Sequence, residues 1–239
     1  LIVTSATYRQ ASTAPAGLLA RDPENELLAR GPKHRLAAEQ IRDSALAAAG
    51  LLVSTVGGPS VKPYQPPGVW EDAGTGKTYA QDPGDKLHRR SLYTFWRRTA
   101  PPPNMLTFDA PTREVCTAKR ETTATPLQAL VLLNDPQFLE AARALAERLL
   151  KEHPDNPDDR AEGAFLALAG RRPEPREREI LRRLLGEQRA AFAADPAAAE
   201  KYLAHGERAR DPALPAVELA ATAVLAATVM NHEEFVMKR

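Results

Sequence analysis

The chain is 239 residues long, carries a formal net charge of +1 and is 43% hydrophobic with only 5% aromatic residues. That length allows one large domain or two small ones with a real core, and the near-neutral balance excludes a global electrostatic pull toward nucleic acid or an anionic membrane. No apolar run reaches the length of a membrane span, and the weight of Ala and Leu over β-branched and aromatic residues points to helices.

The opening LIVTSATYRQ has no Met and no basic start, apolar stretch and small-residue cleavage site of a secretory signal. It reads as a piece of something longer, with LIV the end of an interrupted helix. In DPENELLARG, Asp22 is expected to cap a short helix with Pro23 in its first turn. A second helix is expected from Lys33 to Ala49, where Ala37, Ile41, Ala45, Ala48 and then Leu52 recur at helical spacing and Gly50 supplies a left-handed stop. Arg35, Glu39, Arg42 and Asp43 are spaced to pair on its outer face. Residues 1–57 thus form an N-terminal helical block.

Residues 58–124 hold nine of the 21 prolines and no helical pattern, so an extended or looped arm is expected. Tyr64, Trp70, Tyr79, Tyr93, Phe95, Trp96 and Phe108 argue against a simple disordered tether. Within it, GTGKTY at 74–79 ends like a phosphate-binding loop, but the Gly required five positions before Gly76 is Glu71, whose charge would repel phosphate. A surface loop of Gly and Thr is the expectation.

From Thr125 the pattern is helical again, giving a C-terminal block over 125–239. Thr125-Pro126-Leu127-Gln128 is a capping box, and Asp135-Pro136 opens a helix striped by Leu139, Ala142, Leu145, Ala146, Leu149 and Leu150 that ends near His153-Pro154. Further helices are expected at about 158–169, 175–193, 196–204 and 215–230, the first and third stopped by Gly170 and Gly206.

The densest chemistry is HRRSLYTFWRR at 88–98. Between 88 and 120 there are six Arg and one Lys against Asp109 and Glu114, a local excess of five positive charges. Arg89, Arg90, Arg97 and Arg98 interleaved with Tyr93, Phe95 and Trp96 suit bidentate capture of sulfate, phosphate or carboxylate beside stacking rings. The same residues equally suit an internal framework in which Arg pairs with acids of neighbouring helices. Just downstream, Asp109, Arg113, Glu114, Cys116 and Arg120 gather before the helix start at Thr125, where backbone N–H groups favour an anion. Cys116 has no partner for a disulfide and no motif for zinc or haem attachment. Beside Arg113 and Arg120 it would suit a nucleophile only if a base such as His88 lay near. NHEEF at 231–235 lacks the second His of a zinc helix, and His232, Glu233 and Glu234 are expected on the wet side with Phe235 and Val236 inward.

Together, RLAAEQIRDSALAAAG, GGPSVKPYQPPGVW, RRSLYTFWRR, FDAPTREVCTAKRETTATPLQALVLLNDPQF and the closing NHEEF resemble the planctomycete-type C-terminal domain of unknown function 1553, a PSD-type domain, over essentially the whole chain. Such domains sit at the C-terminal end of large exported proteins, preceded by another domain of unknown function and, in many members, by a haem-binding cytochrome-c-like segment. The resemblance assigns no catalytic residue. This chain departs from it at Asn231-His232-Glu233-Glu234-Phe235, where the family more often has Asn-Leu-Asp-Glu-Phe.

The expectation is a mainly α, multi-helix domain in which blocks at about 18–57 and 125–239 pack together and the Pro-rich, aromatic, Arg-rich arm crosses them. Its function is expected to be that of a non-catalytic binding or structural module. The ligand-binding set is Arg89, Arg90, Tyr93, Trp96, Arg97, Arg98, Asp109, Arg113 and Arg120, facing an anionic polysaccharide or docking an upstream, haem-bearing domain. The alternative is a hydrolase-like site of Asp109, Arg113, Cys116 and His88. No metal or cofactor in this chain, no nucleic acid and no membrane span are expected, and an exported, periplasmic or cell-surface location is implied by the resemblance alone.

Overall fold

Helix starts in the second half of the chain are written by proline and a short polar cap. Thr125 accepts from the Gln128 N–H, Asp135 from Gln137, Asn156 from Asp158 and Asp159, and Asp195 from Ala198, each directly before a Pro at the first helical position. Each such cap is worth about 1 kcal/mol. In the computed structural model, which describes residues 1–74 and 76–238, the elements in chain order are α1 (Ala16–Arg21), β1 (His34–Arg35), α2 (Ala38–Ala48), α3 (Val69–Asp72), α4 (Pro103–Thr107), α5 (Pro126–Asn134), α6 (Pro136–Glu152), α7 (Pro157–Ala169), α8 (Pro175–Ala194), α9 (Pro196–Leu203), α10 (Ala216–Met230), α11 (Glu233–Val236) and β2 (Met237–Lys238). The fold is mainly α, and among the described residues its sheet is the single antiparallel pair β1–β2.

Beyond Glu218 and two threonines α10 is apolar all round, and a helix of that kind belongs in the middle. Leu219, Leu225 and Met230 are fully buried, as are Ala220, Ala221, Ala223 and Ala226, whose small side chains let α6, α7, α8 and α9 close around them. Each fully buried Leu or Met side chain stabilises by about 1.5–3 kcal/mol. Ala221, Leu225, Ala226 and Met230 share one core with Ile41, Ala45 and Leu46 of α2 and Phe138, Ala142 and Leu145 of α6. A second cluster joins Ala146 and Leu150 of α6 to Ala199 and Leu203 of α9 and Leu219 of α10.

The helices expected from 125 onward are present with ends within a residue or two of expectation, and Gly50 and Gly170 stop α2 and α7 in the left-handed region at φ 71° and 74°. The first block differs. No helix follows Asp22; its carboxylate accepts from the Glu26 and Leu27 N–H groups of a turn. Asp22 closes that turn instead of capping a helix, and Asn25 and Leu28 are left-handed at φ 58° and 51°, which breaks the spiral. The helix expected from Lys33 starts at Ala38, because Arg35 pairs with Met237 and His34 with Lys238 in the small sheet. Arg42, expected outside, is 2% exposed. The arm contains helical turns at α3 and α4, where none was expected. In the 74–79 stretch Gly74, Gly76, Lys77 and Thr78 are exposed, and Thr75 lies outside the described residues.

The tail is held by charge. Glu234, expected to be wet, is 8% exposed and accepts from Arg171 Nε and Nη2 at 2.8 and 3.0 Å. Arg171 also grips both Glu177 oxygens at 2.7 Å and lies 4.9 Å over the Phe165 ring. After α10 ends at Met230, α11 sets Glu234 against Arg171 in the connection between α7 and α8 rather than in solvent. The hydrogen bonds from Arg171 lower the Glu177 carboxyl from its ordinary 4.5 to about 2. A depressed carboxyl adds stability that is complete above its unfolded value and is lost as pH falls through the folded one. Urea midpoints measured from pH 5 down to 2 should therefore fall, and in Arg171→Met the Glu177 part of that fall should disappear; an unchanged acid limb in the variant contradicts this.

Candidate binding grooves beside the arginine-rich segment

The arm orders itself before it meets the helices. Residues 53–61 run beside 88–95: the Val53 N–H donates to the His88 carbonyl, Val61 to Tyr93, and Phe95 back to Val61. Trp70 stacks edge-on with Tyr79 at 5.2 Å and lies 5.9 Å from Phe95, and the Tyr79 hydroxyl donates to the Pro63 carbonyl at 2.6 Å. Arg42 then bolts this unit to the bundle. Its guanidinium donates to Gln137 Oε1, to the Arg89 and Leu87 carbonyls at 2.7 and 2.6 Å, and to Ser91 Oγ. Burial lowers its pKa to about 10, still far above neutrality, so it stays charged.

Against this frame the nine expected binding residues divide. Arg89 is 8% exposed and donates to the carbonyls of Thr55, Gly57 and Pro59, with its guanidinium 3.8 Å above the Tyr93 ring. Tyr93 in turn accepts from the Gly57 N–H. Both hold the arm's own turn. Arg97 lies 4.8 Å over Trp70. Arg120 forks onto Glu39 at 2.7 and 3.0 Å. Asp109, left-handed at φ 61°, accepts from the Thr123 N–H and hydroxyl and so sets the approach to α5. Trp96 donates to the Thr112 carbonyl and carries Arg113 4.3 Å over its ring. Arg98 is exposed and has no hydrogen bond or ion pair among the described residues.

Two of the nine, Arg90 and Arg113, share a groove of about 610 Å³ along the outer face of α2, with Glu39, Gln40, Asp43, Ser44 and Leu92. Its acids are engaged: Glu39 by Arg120, and Asp43 Oδ1 by the Ser91 N–H and hydroxyl at 2.8 and 2.7 Å. Its arginine side chains make no hydrogen bond among the described residues. Arg90 has half its side chain exposed and comes only to 4.0 Å from Asp43, while Arg113 stacks on Trp96 without an ion pair among the described residues.

A second groove of about 480 Å³ opens on the other side of the 87–91 segment, lined by Gly50, Leu51, Gly84, Asp85, Leu87, His88, Glu207 and Arg208. Behind it stands Glu140, with no exposed surface, which accepts from His88 Nε2 at 2.9 Å, the Tyr64 hydroxyl at 3.1 Å and the Arg208 backbone N–H at 2.7 Å. Burial pushes the Glu140 carboxyl up, but the hydrogen bonds from His88 and Arg208 outweigh it and the net shift is downward. Burial and the nearby Glu140 charge push the Tyr64 phenol well above its ordinary value. Cys116 is exposed and lines neither groove, and His88 pairs with Glu140 rather than with Asp109, Arg113 or Cys116. Among the described residues no group of three His, Cys, Asp or Glu side chains is placed to hold a metal ion, and no helix is long and apolar enough to cross a membrane.

Sequence reasoning singled out Arg90 and Arg113, which line the first groove, but not Glu140 and Tyr64, which meet His88 behind the second. Glu140, Arg143 and Glu147 repeat at helical spacing and look like a solvated face, yet all three are buried under the 204–211 loop.

The family model for Protein of unknown function (DUF1553) matches residues 1–185, which includes the whole arm and both grooves apart from Glu207 and Arg208, and leaves the closing NHEEF outside the matched stretch. No curated protein and no solved structure gives a significant match to the chain. A match of that extent, over three quarters of the residues and all of the arginine-rich segment, makes the chain a member of the PSD1 family of proteins of unknown function, DUF1553.

Proposed function

We propose that this chain is a binding module of an exported multidomain protein, and that its arginine groove takes the sulfate or carboxylate groups of an anionic polysaccharide. One observation carries the reading: in the groove along α2 the carboxylates are occupied by internal donors while the Arg90 and Arg113 guanidiniums keep theirs unspent. Charge-assisted, forked hydrogen bonds to an oxyanion are what such donors form. Export and any haem in a separate upstream segment follow from the family resemblance. Docking of another domain of the same polypeptide is a second role, favoured by α5, whose exposed residues, Leu127, Leu130 and Leu133 among them, include no charge.

Calorimetric titration with a sulfated, a carboxylated and a neutral oligosaccharide tests the first role. Saturable heat is expected with one anionic class, weakening as salt rises. Arg90→Ala with Arg113→Ala should weaken it by about tenfold or more without changing the thermal midpoint, since neither side chain is buried. No heat with any anion, or undiminished binding by the double variant, would overturn the reading.

A further inference from the structure

We propose that the second groove binds a neutral, hydroxyl-rich small molecule, with His88 Nδ1 accepting a hydrogen bond from a ligand hydroxyl. This site is separate from the arginine groove and does not depend on it.

The argument starts from Glu140. A fully buried carboxylate offers only acceptors, and here the Arg208 N–H and the Tyr64 hydroxyl already point donors at it. His88 Nε2, 2.9 Å away, must therefore carry its proton toward Glu140. In the neutral ring that leaves the lone pair on Nδ1. His88 is 93% buried by its 7% exposure and forms part of the groove wall, and Nδ1 has no partner among the described residues. A ring held by Glu140 through Nε2 presents Nδ1 as an acceptor without a protein partner among the described residues, and a ligand hydroxyl can take that place.

The rest of the wall matches. Asp85 and Glu207 add carboxylate acceptors; among the described residues Glu207 Oε2 receives only the Gly84 N–H, at 3.3 Å. The Arg208 guanidinium leans 3.6 Å from Glu147, and its charge in the wall counts against a cationic ligand as the two carboxylates count against an anionic one. Acceptors without a strong net charge call for neutral O–H donors. Gly50 and Gly84, both left-handed at φ 71° and 60°, keep two edges of the groove free of side chains. A volume of about 480 Å³ lies within the range of small-molecule sites.

The Glu140 node has a structural use as well, since it ties the arm and the 204–211 loop to α6. That use needs Nε2 alone. It leaves Nδ1 without a protein partner among the described residues.

The test is nitrogen-resolved magnetic resonance of the His88 ring in the full chain, titrated with glucose, glucosamine and glucose 6-phosphate. The free protein should show His88 with its proton on Nε2; a proton on Nδ1 in the neutral ring overturns the proposal before any ligand is added. Glucose should then shift Nδ1 saturably, with half-saturation at about 1–10 mM and little dependence on salt. His88→Gln should abolish the glucose response of the Gly50 and Gly84 amides. Glu140→Gln, which keeps one acceptor but frees the ring, should weaken binding about tenfold. A response to glucosamine alone or to the phosphate ester alone would replace the hydroxyl assignment, and no response to any of the three would remove the site. Salt-insensitive sugar binding that survives Arg90→Ala with Arg113→Ala separates this site from the arginine groove.

Discussion

Glu140→Leu should lower the unfolding free energy by about 3–5 kcal/mol, one of the two largest losses expected from any single change in this chain. The side chain is wholly buried, and removing it strips acceptors from three donors at once: His88 Nε2, the Tyr64 hydroxyl and the Arg208 N–H. Each stranded donor costs about 1–3 kcal/mol, and the three do not add fully because the loop can relax. Arg143, 3.8 Å from Glu140 and bonded to the carbonyls of Leu203 and Arg208, would keep its charge with less to balance it. The measurement is urea unfolding of the variant beside the parent. A loss under about 1 kcal/mol would show that the loop reorganises freely and that Glu140 is not the node the geometry makes it.

Arg42→Leu is the second. Four hydrogen bonds radiate from its guanidinium to α6 and to the arm, and Asp43 lies 3.6 Å away. Leucine fills part of the space but leaves the Leu87 and Arg89 carbonyls and Gln137 Oε1 without their donor. A loss of about 3–5 kcal/mol is expected by the same reasoning. Arg42→Lys should recover only a minor part, since three donors on a single nitrogen cannot reach groups spread around a planar fork. Proteolysis separates the two variants: loss of Arg42 should expose the 57–95 arm first, because that is what it anchors, whereas loss of Glu140 should open the 204–211 loop as well. Equal cleavage patterns would argue against that division.

The later helices were legible because their signals are local. Thr125, Asp135, Asn156 and Asp195 each stand before a proline, and Gly170 closes α7, so starts and stops could be placed within a residue or two. The first block was misread where distant residues decide. Arg35 and His34 belong to a strand only because Met237 and Lys238 come to pair with them, and no local pattern carries that information. Arg42 looked like a member of an exposed charged row, since a spacing of three and four is the same whether the row faces water or a proline-rich arm. Of the candidate site, the residue types were legible and their division was not. Arg89 and Arg90 are neighbours in sequence, but the turn at 55–59 consumes one and leaves the other at the groove. The buried Glu140 was invisible for a related reason: a charge on an amphipathic helix is read as surface unless its partners, here Tyr64, His88 and Arg208, are known to converge.

The small sheet has a consequence for the order of events when the protein forms. Lys33 and Glu233, joined at 2.6 Å, are 200 positions apart, and β1 meets β2 over a similar span. α6 and α7 can associate soon after both are made, but the entry to α2 has its edge open until residues 233–238 exist. On a ribosome, the segment around residues 34–36 would wait for the synthesis of the roughly 200 residues that separate it from β2 before finding its partner. Closing so long a loop late, on a preassembled bundle, keeps the search small even though the sequence separation is large. Residues 233–238 thus act as the fastening of the first block, and their arrival fixes the entry to α2.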